Sequence, residues 1–212
     1  MKFILLVEGA TEHGAAGAFL KRWLDLRLSQ PVGIETNAFD GYAALVKDMP
    51  VRARMHLEGA RRHEIVAVVA LLDLYGPTFY PPDKTSANER YDWGKQHFER
   101  EVGLDKFRLF FAVHEFEAWL LSDPAVFPTP VKNALPRKIA HPERVNFGEP
   151  PSRLLDRTYR RQMNKGYKKT VHGRKLFAKL DPDVATQKCP HLKELLEEML
   201  RLAHDAGLRT FP

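Results

Sequence analysis

The sequence has a single cysteine, Cys189, in 212 residues, which excludes an internal disulfide framework and any multi-cysteine structural zinc site. Long apolar runs are missing too. The longest, Ile65 to Leu72, falls far short of the roughly 20 residues that a membrane-spanning helix needs. The apolar stretch behind Lys2 runs straight into Glu8 instead of a small-residue cleavage site, so the expectation is a cytoplasmic protein with no secretory signal and no membrane association. There is no Gly-x-Ser-x-Gly elbow, no Gly-x-x-x-x-Gly-Lys phosphate loop and no Gly-x-Gly-x-x-Gly turn. His114-Glu115 does not open a metalloprotease helix, because Ala118 stands where the second histidine is required. With 44% hydrophobic and 28% charged residues, the chain can bury a full core, which excludes disorder, collagen and coiled coil.

One absence is local. From Arg157 to Lys179 there is no Asp or Glu, but there are nine Lys or Arg, leaving 24 basic against 27 acidic residues elsewhere. The chain as a whole is +6 and the remainder −3, an asymmetry that points to a polyanionic partner. Tyr159, Tyr167, His172 and Phe177 interleave with these cations, as in surfaces that stack bases and clamp phosphates. The ordinary alternative is a solvated helix face. The candidate nucleic-acid-binding residues are Arg157, Arg160, Arg161, Lys165, Lys168, Lys169, Arg174 and Lys175.

The pattern predicts a strand over Lys2 to Val7 and a helix from about Glu12 to Ser29, with Ala16, Phe19, Leu20, Trp23 and Leu24 at helical spacing. A weaker strand at Val32 to Thr36 and a helix from Tyr42 to about Arg62, interrupted near Pro50, lead to a buried strand over Glu64 to Leu72. A proline-rich loop, a helix from about Asn88 to Val102, a strand over Lys106 to Val113 and a short helix from His114 to Leu121 follow. This alternation indicates an α/β fold with a mainly parallel sheet flanked by helices over residues 1–125. The region 126–212 is expected to be helical and basic, closing with an amphipathic helix that aligns Leu192, Leu195, Leu196, Met199, Leu200 and Ala203.

Ligands collect outside the carboxyl ends of strands in open parallel sheets, and three such ends are acidic here: Glu8 with Glu12, Asp73, and Glu115 with Glu117. Carboxylates about 4 Å apart repel by roughly 4 kcal/mol at an effective dielectric of about 20, so such a cluster calls for a cation. Oxygen ligands without cysteine favour Mg²⁺ or Mn²⁺ over zinc. Each carboxylate alone also fits an ordinary role at a helix start or turn. Cys189 before Pro190 reads as a buried position at the start of the last helix.

Val7-Glu8-Gly9-x-Thr11-Glu12 after a strand, with Asp73 after a later apolar strand, resembles the Toprim superfamily of topoisomerases, primases and overcoming-lysogeny-defect nucleases. Leu72-Asp73-Leu74-Tyr75-Gly76-Pro77, His114-Glu115-Phe116-Glu117-Ala118-Trp119-Leu120-Leu121-Ser122-Asp123 and Lys188-Cys189-Pro190-His191 resemble the bacterial domain-of-unknown-function family 4276 over nearly the whole chain. The Toprim pattern implies Glu8 as the motif glutamate, Glu12 as an added ligand and Asp73 as the first aspartate of Asp-x-Asp, whose second position holds Tyr75. It also implies Glu117 as a later glutamate, and a downstream lysine near the scissile phosphate, for which Lys168, Lys169 and Lys175 are candidates.

The expected function is a Mg²⁺- or Mn²⁺-dependent nuclease or phosphodiesterase acting on DNA or RNA. Its catalytic set would be Glu8, Asp73, Glu117 and Lys168, and its metal ligands would come from Glu8, Glu12, Asp73, Glu115 and Glu117. The resemblance further implies a role in phage defence or DNA repair beside an ATPase partner. Two alternatives stand: a non-catalytic nucleic-acid-binding or regulatory subunit with a degenerate site, and a small-molecule phosphatase with Asp73 as nucleophile.

Overall fold

Runs of Val, Ile, Leu and Phe with no polar alternation suit strands covered on both faces, and the two central strands of the sheet are of this kind. The computed structural model describes residues 1–136, 139–144 and 149–211, with the side chains of residues 10–13 left outside that description. Strands β1 (Lys2–Val7), β2 (Gly33–Ala38), β3 (Ile65–Asp73) and β4 (Phe107–Ala112) form an all-parallel sheet in the order β2-β1-β3-β4. Every residue of β3 is buried.

The helices connecting the strands are α1 (Ala10–Asp25), α2 (Gly41–Leu57) and α3 (Ala87–Val102). From β1 the chain crosses to one side through α1. It then returns past β1 through α2 to β3 and onward through α3 to β4, so right-handed crossovers put α1 on one face and α2 and α3 on the other. Gly94 allows α3 to lie close on β4, since a Cβ there would meet the Phe111 ring at 2.6 Å. The predicted interruption at Pro50 does not occur. The helix α2 runs through it, because Leu45, Met49 and Ala53 bury one stripe against the sheet and the proline forfeits only one main-chain hydrogen bond.

After β4, where a short helix is expected, the chain makes a 3₁₀ segment, Phe116–Ser122, and then α4 (Thr129–Ala134) and α5 (Pro151–Met163). A π-helical turn, Lys169–Gly173, runs into α6 (Arg174–Lys179), and α7 (Pro182–Thr186) and α8 (Pro190–Asp205) complete the chain. All of α6, α7 and α8 pack against α1, and α8 also covers β3 and β4. Its buried stripe is Leu192, Leu195, Leu196, Met199, Leu202 and Ala203, while Leu200 is partly buried. Among the described residues no helix is long and apolar enough to cross a membrane.

Candidate nucleic-acid and metal centre

The sheet changes direction of travel between β1 and β3, whose carboxyl ends are Glu8 and Asp73, and a crevice at such a reversal is where open α/β sheets bind ligands. The main-chain N–H of Asp73 donates to Oε1 of Glu8 at 3.3 Å, which ties the two strand ends together. Asp73 Oδ1 accepts from the Phe116 N–H at 2.7 Å, so the same aspartate anchors the start of the 3₁₀ segment that carries Glu117. Asp73 and Glu115 are each 7% exposed and Glu117 is wholly buried. Both oxygens of Glu115 are engaged by Ser152: Oε2 accepts from its N–H at 2.8 Å and Oε1 from its hydroxyl at 2.9 Å.

Carboxylates buried this closely require a positive partner, and it is Lys169. Its Nζ lies 2.9 Å from Glu117 Oε2, 3.7 Å from Asp73 Oδ2 and 3.8 Å from Glu115 Oε1. Burial by itself would lower the ammonium's pKa, but the charges of Asp73, Glu117 and Glu115 and the hydrogen bond to Glu117 outweigh it and hold the lysine protonated far into the alkaline range. Burial depresses the neighbouring His114, which favours its neutral form. The structure therefore brings Asp73, Glu115, Glu117 and Lys169 together, with Glu8 joined through the Asp73 amide. The side chain of Glu12 lies outside the described residues.

The lysine expected in the catalytic set, Lys168, does not reach these carboxylates. Its side chain is exposed and its N–H donates to His172 Nδ1 at 2.8 Å. Extended backbone at Lys168, just before the π turn, sends adjacent side chains different ways, and the inward position falls to Lys169. No pattern in the sequence separates the two. Among the described residues no three His, Cys, Asp or Glu side chains are set for direct ligation of one ion. The donor set nevertheless fits a hard divalent cation: carboxylate oxygens converge on a place that already holds positive charge.

The basic segment is exposed at Arg157, Arg160, Arg161, Lys165, Lys168, Arg174 and Lys175. Arg157 pairs with Glu149 at 2.7 Å and Arg160 with Asp156 at 2.8 Å. The interleaved aromatics, in contrast, do not form a stacking surface. Tyr159, Tyr167 and Phe177 are 2%, 8% and 1% exposed, turned inward from α5, the loop after it and α6. Phe177 stacks on Phe116 with ring centroids 4.0 Å apart and thereby seats the basic segment against the acidic one. Beside the end of β3 a cleft of about 590 Å³ opens, lined by Tyr75, Gly76, Pro77, Thr78, Tyr80 and Arg90. Cys189 is wholly buried and burial pushes its thiol well up, which leaves it unreactive.

No curated protein matches the chain. Among solved structures it is similar to the C-terminal region of the Burkholderia pseudomallei OLD protein, at 18% identity and a TM-score of 0.49 over 97% of this chain and 98% of that one. It is also similar to the C-terminal region of the Xanthomonas campestris pv. campestris OLD protein, at 17% identity and a TM-score of 0.45 over 96% and 95%. Residues 7–200, which contain the strand-end carboxylates, Lys169 and the basic segment, match the family described as Domain of unknown function (DUF4276), and the chain belongs to that family.

Proposed function

We propose that the protein is a Mg²⁺- or Mn²⁺-dependent nuclease or phosphodiesterase acting on DNA or RNA. The observation that carries this reading is the convergence of Asp73, Glu115 and Glu117 on one cation at the sheet's reversal point, with Glu8 beside them. Exposed lysines and arginines flank Lys169 in the chain. Glu8, Asp73 and Glu117 would hold the metal, which when bound supplies charge neutralisation at a phosphoryl oxygen and an activated water. Glu115 serves mainly to hold α5 through Ser152. Lys168, Arg174 and Lys175 would bind the phosphate backbone, which positions a strand without reading its sequence. The resemblance adds an ATPase partner and a setting in phage defence or DNA repair to this proposal.

A second reading, a nucleic-acid-binding subunit without catalysis, is favoured by Lys169 standing where a metal would be and by Tyr75 at the second position of the Asp-x-Asp pattern. Incubating the protein with labelled DNA and RNA in Mg²⁺ or Mn²⁺ separates the two. Asp73→Asn keeps the acceptor for Phe116 and removes one charge, so it should cut cleavage at least about a hundredfold, while nucleic-acid binding measured without divalent metal stays within about threefold. Binding without cleavage of any substrate by the parent protein would establish the second reading instead.

A further inference from the structure

We infer that Lys169 is a built-in counter-cation that closes the carboxylate centre to divalent metal, and that phosphates bound by its own segment draw it out, so that metal and nucleic acid load together. This rests on the metal-centre reading above and adds how that centre is regulated.

The two cations compete for one volume. A hard divalent ion needs carboxylate oxygens at about 2.0 to 2.6 Å, whereas the Lys169 ammonium already sits 2.9 to 3.8 Å from three of them. That the described side chains are not set for ligation of one ion follows, since they are spaced around an ammonium. Charge decides which occupant the site prefers once the lysine has somewhere to go. Three formal carboxylates, Asp73, Glu115 and Glu117, face one ammonium, leaving a negative excess that a divalent ion neutralises more fully. Until then the metal binds only the fraction of molecules in which the lysine has left, and its apparent affinity falls by that fraction.

The exit is also built in. The Lys169 side chain is 36% exposed although its partner Glu117 is wholly buried, so its long flexible stem reaches solvent. It begins the π turn Lys169–Gly173, and the residues around it include exposed Lys168, Arg174 and Lys175. A phosphate backbone gathered by those three offers Lys169 anionic oxygens in place of the carboxylates. Linkage then requires reciprocity: whatever factor nucleic acid adds to metal affinity, metal adds to nucleic-acid affinity.

The test titrates Mn²⁺ calorimetrically into the full chain, with and without a nuclease-resistant phosphorothioate duplex. The duplex should raise the Mn²⁺ affinity of the parent protein about tenfold. Lys169→Met should bind Mn²⁺ about tenfold more tightly without any duplex and gain less than about twofold from it. Lys169→Arg, which keeps the charge, should behave as the parent. Equal, duplex-independent Mn²⁺ binding by the parent and Lys169→Met would overturn the inference and leave the metal centre standing. No Mn²⁺ binding by any form would overturn both. Should Lys169→Met fail to fold because Glu117 is left buried without its cation, the duplex effect on the parent decides, and its absence overturns the inference.

Discussion

At the scale of single residues, the buried acids of this protein divide by what faces them. Glu117 has an ammonium at 2.9 Å. Glu143 has main-chain donors instead: its carboxylate accepts from the N–H groups of His191 at 2.9 Å and Leu192 at 3.1 Å, at the start of α8. Burial raises its pKa from 4.5 to about 7, and those two hydrogen bonds offset only part of the rise. A carboxyl that holds its proton more tightly folded than unfolded contributes stability below about pH 4.5 and loses it as pH climbs towards 7. Compared with Glu143→Gln, which cannot titrate, the parent should therefore lose up to roughly 3 kcal/mol across that window. Urea unfolding at a series of pH values measures it, and parallel profiles for the two proteins would refute the assignment.

At the scale of elements, the site is assembled by helix ends that borrow partners from elsewhere. The helix α3 is capped by its own sequence, with a Ser86–Glu89 capping box at its start and left-handed Gly103 at its end, and its predicted span of Asn88 to Val102 is off by one residue. The helix α5 begins with Pro151 and has no side-chain cap of its own. Glu115, from the far end of the sheet, supplies it through both atoms of Ser152. Ser152→Ala should cost about 1 to 2 kcal/mol, because a nearly buried carboxylate loses one of its donors, and the shift in denaturant midpoint reports it. No local pattern in the sequence announces this cap, since the two partners are brought together only by the packing of the 3₁₀ segment on α5.

At the scale of the whole molecule, charge is segregated. The sheet's carboxyl edge gathers acids while the outer surface of α5, the π turn and α6 carries cations. A phosphate chain binding the latter releases condensed counterions, so its affinity falls linearly with log salt. Replacing Lys168, Arg174 and Lys175 by glutamate should weaken duplex binding and flatten the log–log slope by about 0.9 for each phosphate that is no longer neutralised. Unchanged binding in that triple variant, measured by fluorescence anisotropy over a salt series, would make the basic surface a solvated one.

Much of the molecule is determined by the sequence on its own. The apolar runs Lys2–Val7 and Ile65–Asp73 are strands because nothing polar interrupts them, and the alternation with helical periodicity makes the sheet parallel. Glu8, Asp73, Glu115 and Glu117 fall at strand ends by the same pattern. Even the need for a positive charge among them follows from Coulomb's law alone. Which charge fills that need is a tertiary matter. Lys169 is adjacent to Lys168 and alike in chemistry, and only the packing of Phe177 on Phe116 and the turn before α6 aim one of them inward. Tertiary packing also takes Phe177, against Phe116, and Tyr159 and Tyr167, against each other and His172, out of the surface that their spacing among cations had implied. Local sequence sets the periodicity of a segment, but the direction in which its side chains point is decided by what the rest of the chain places against it.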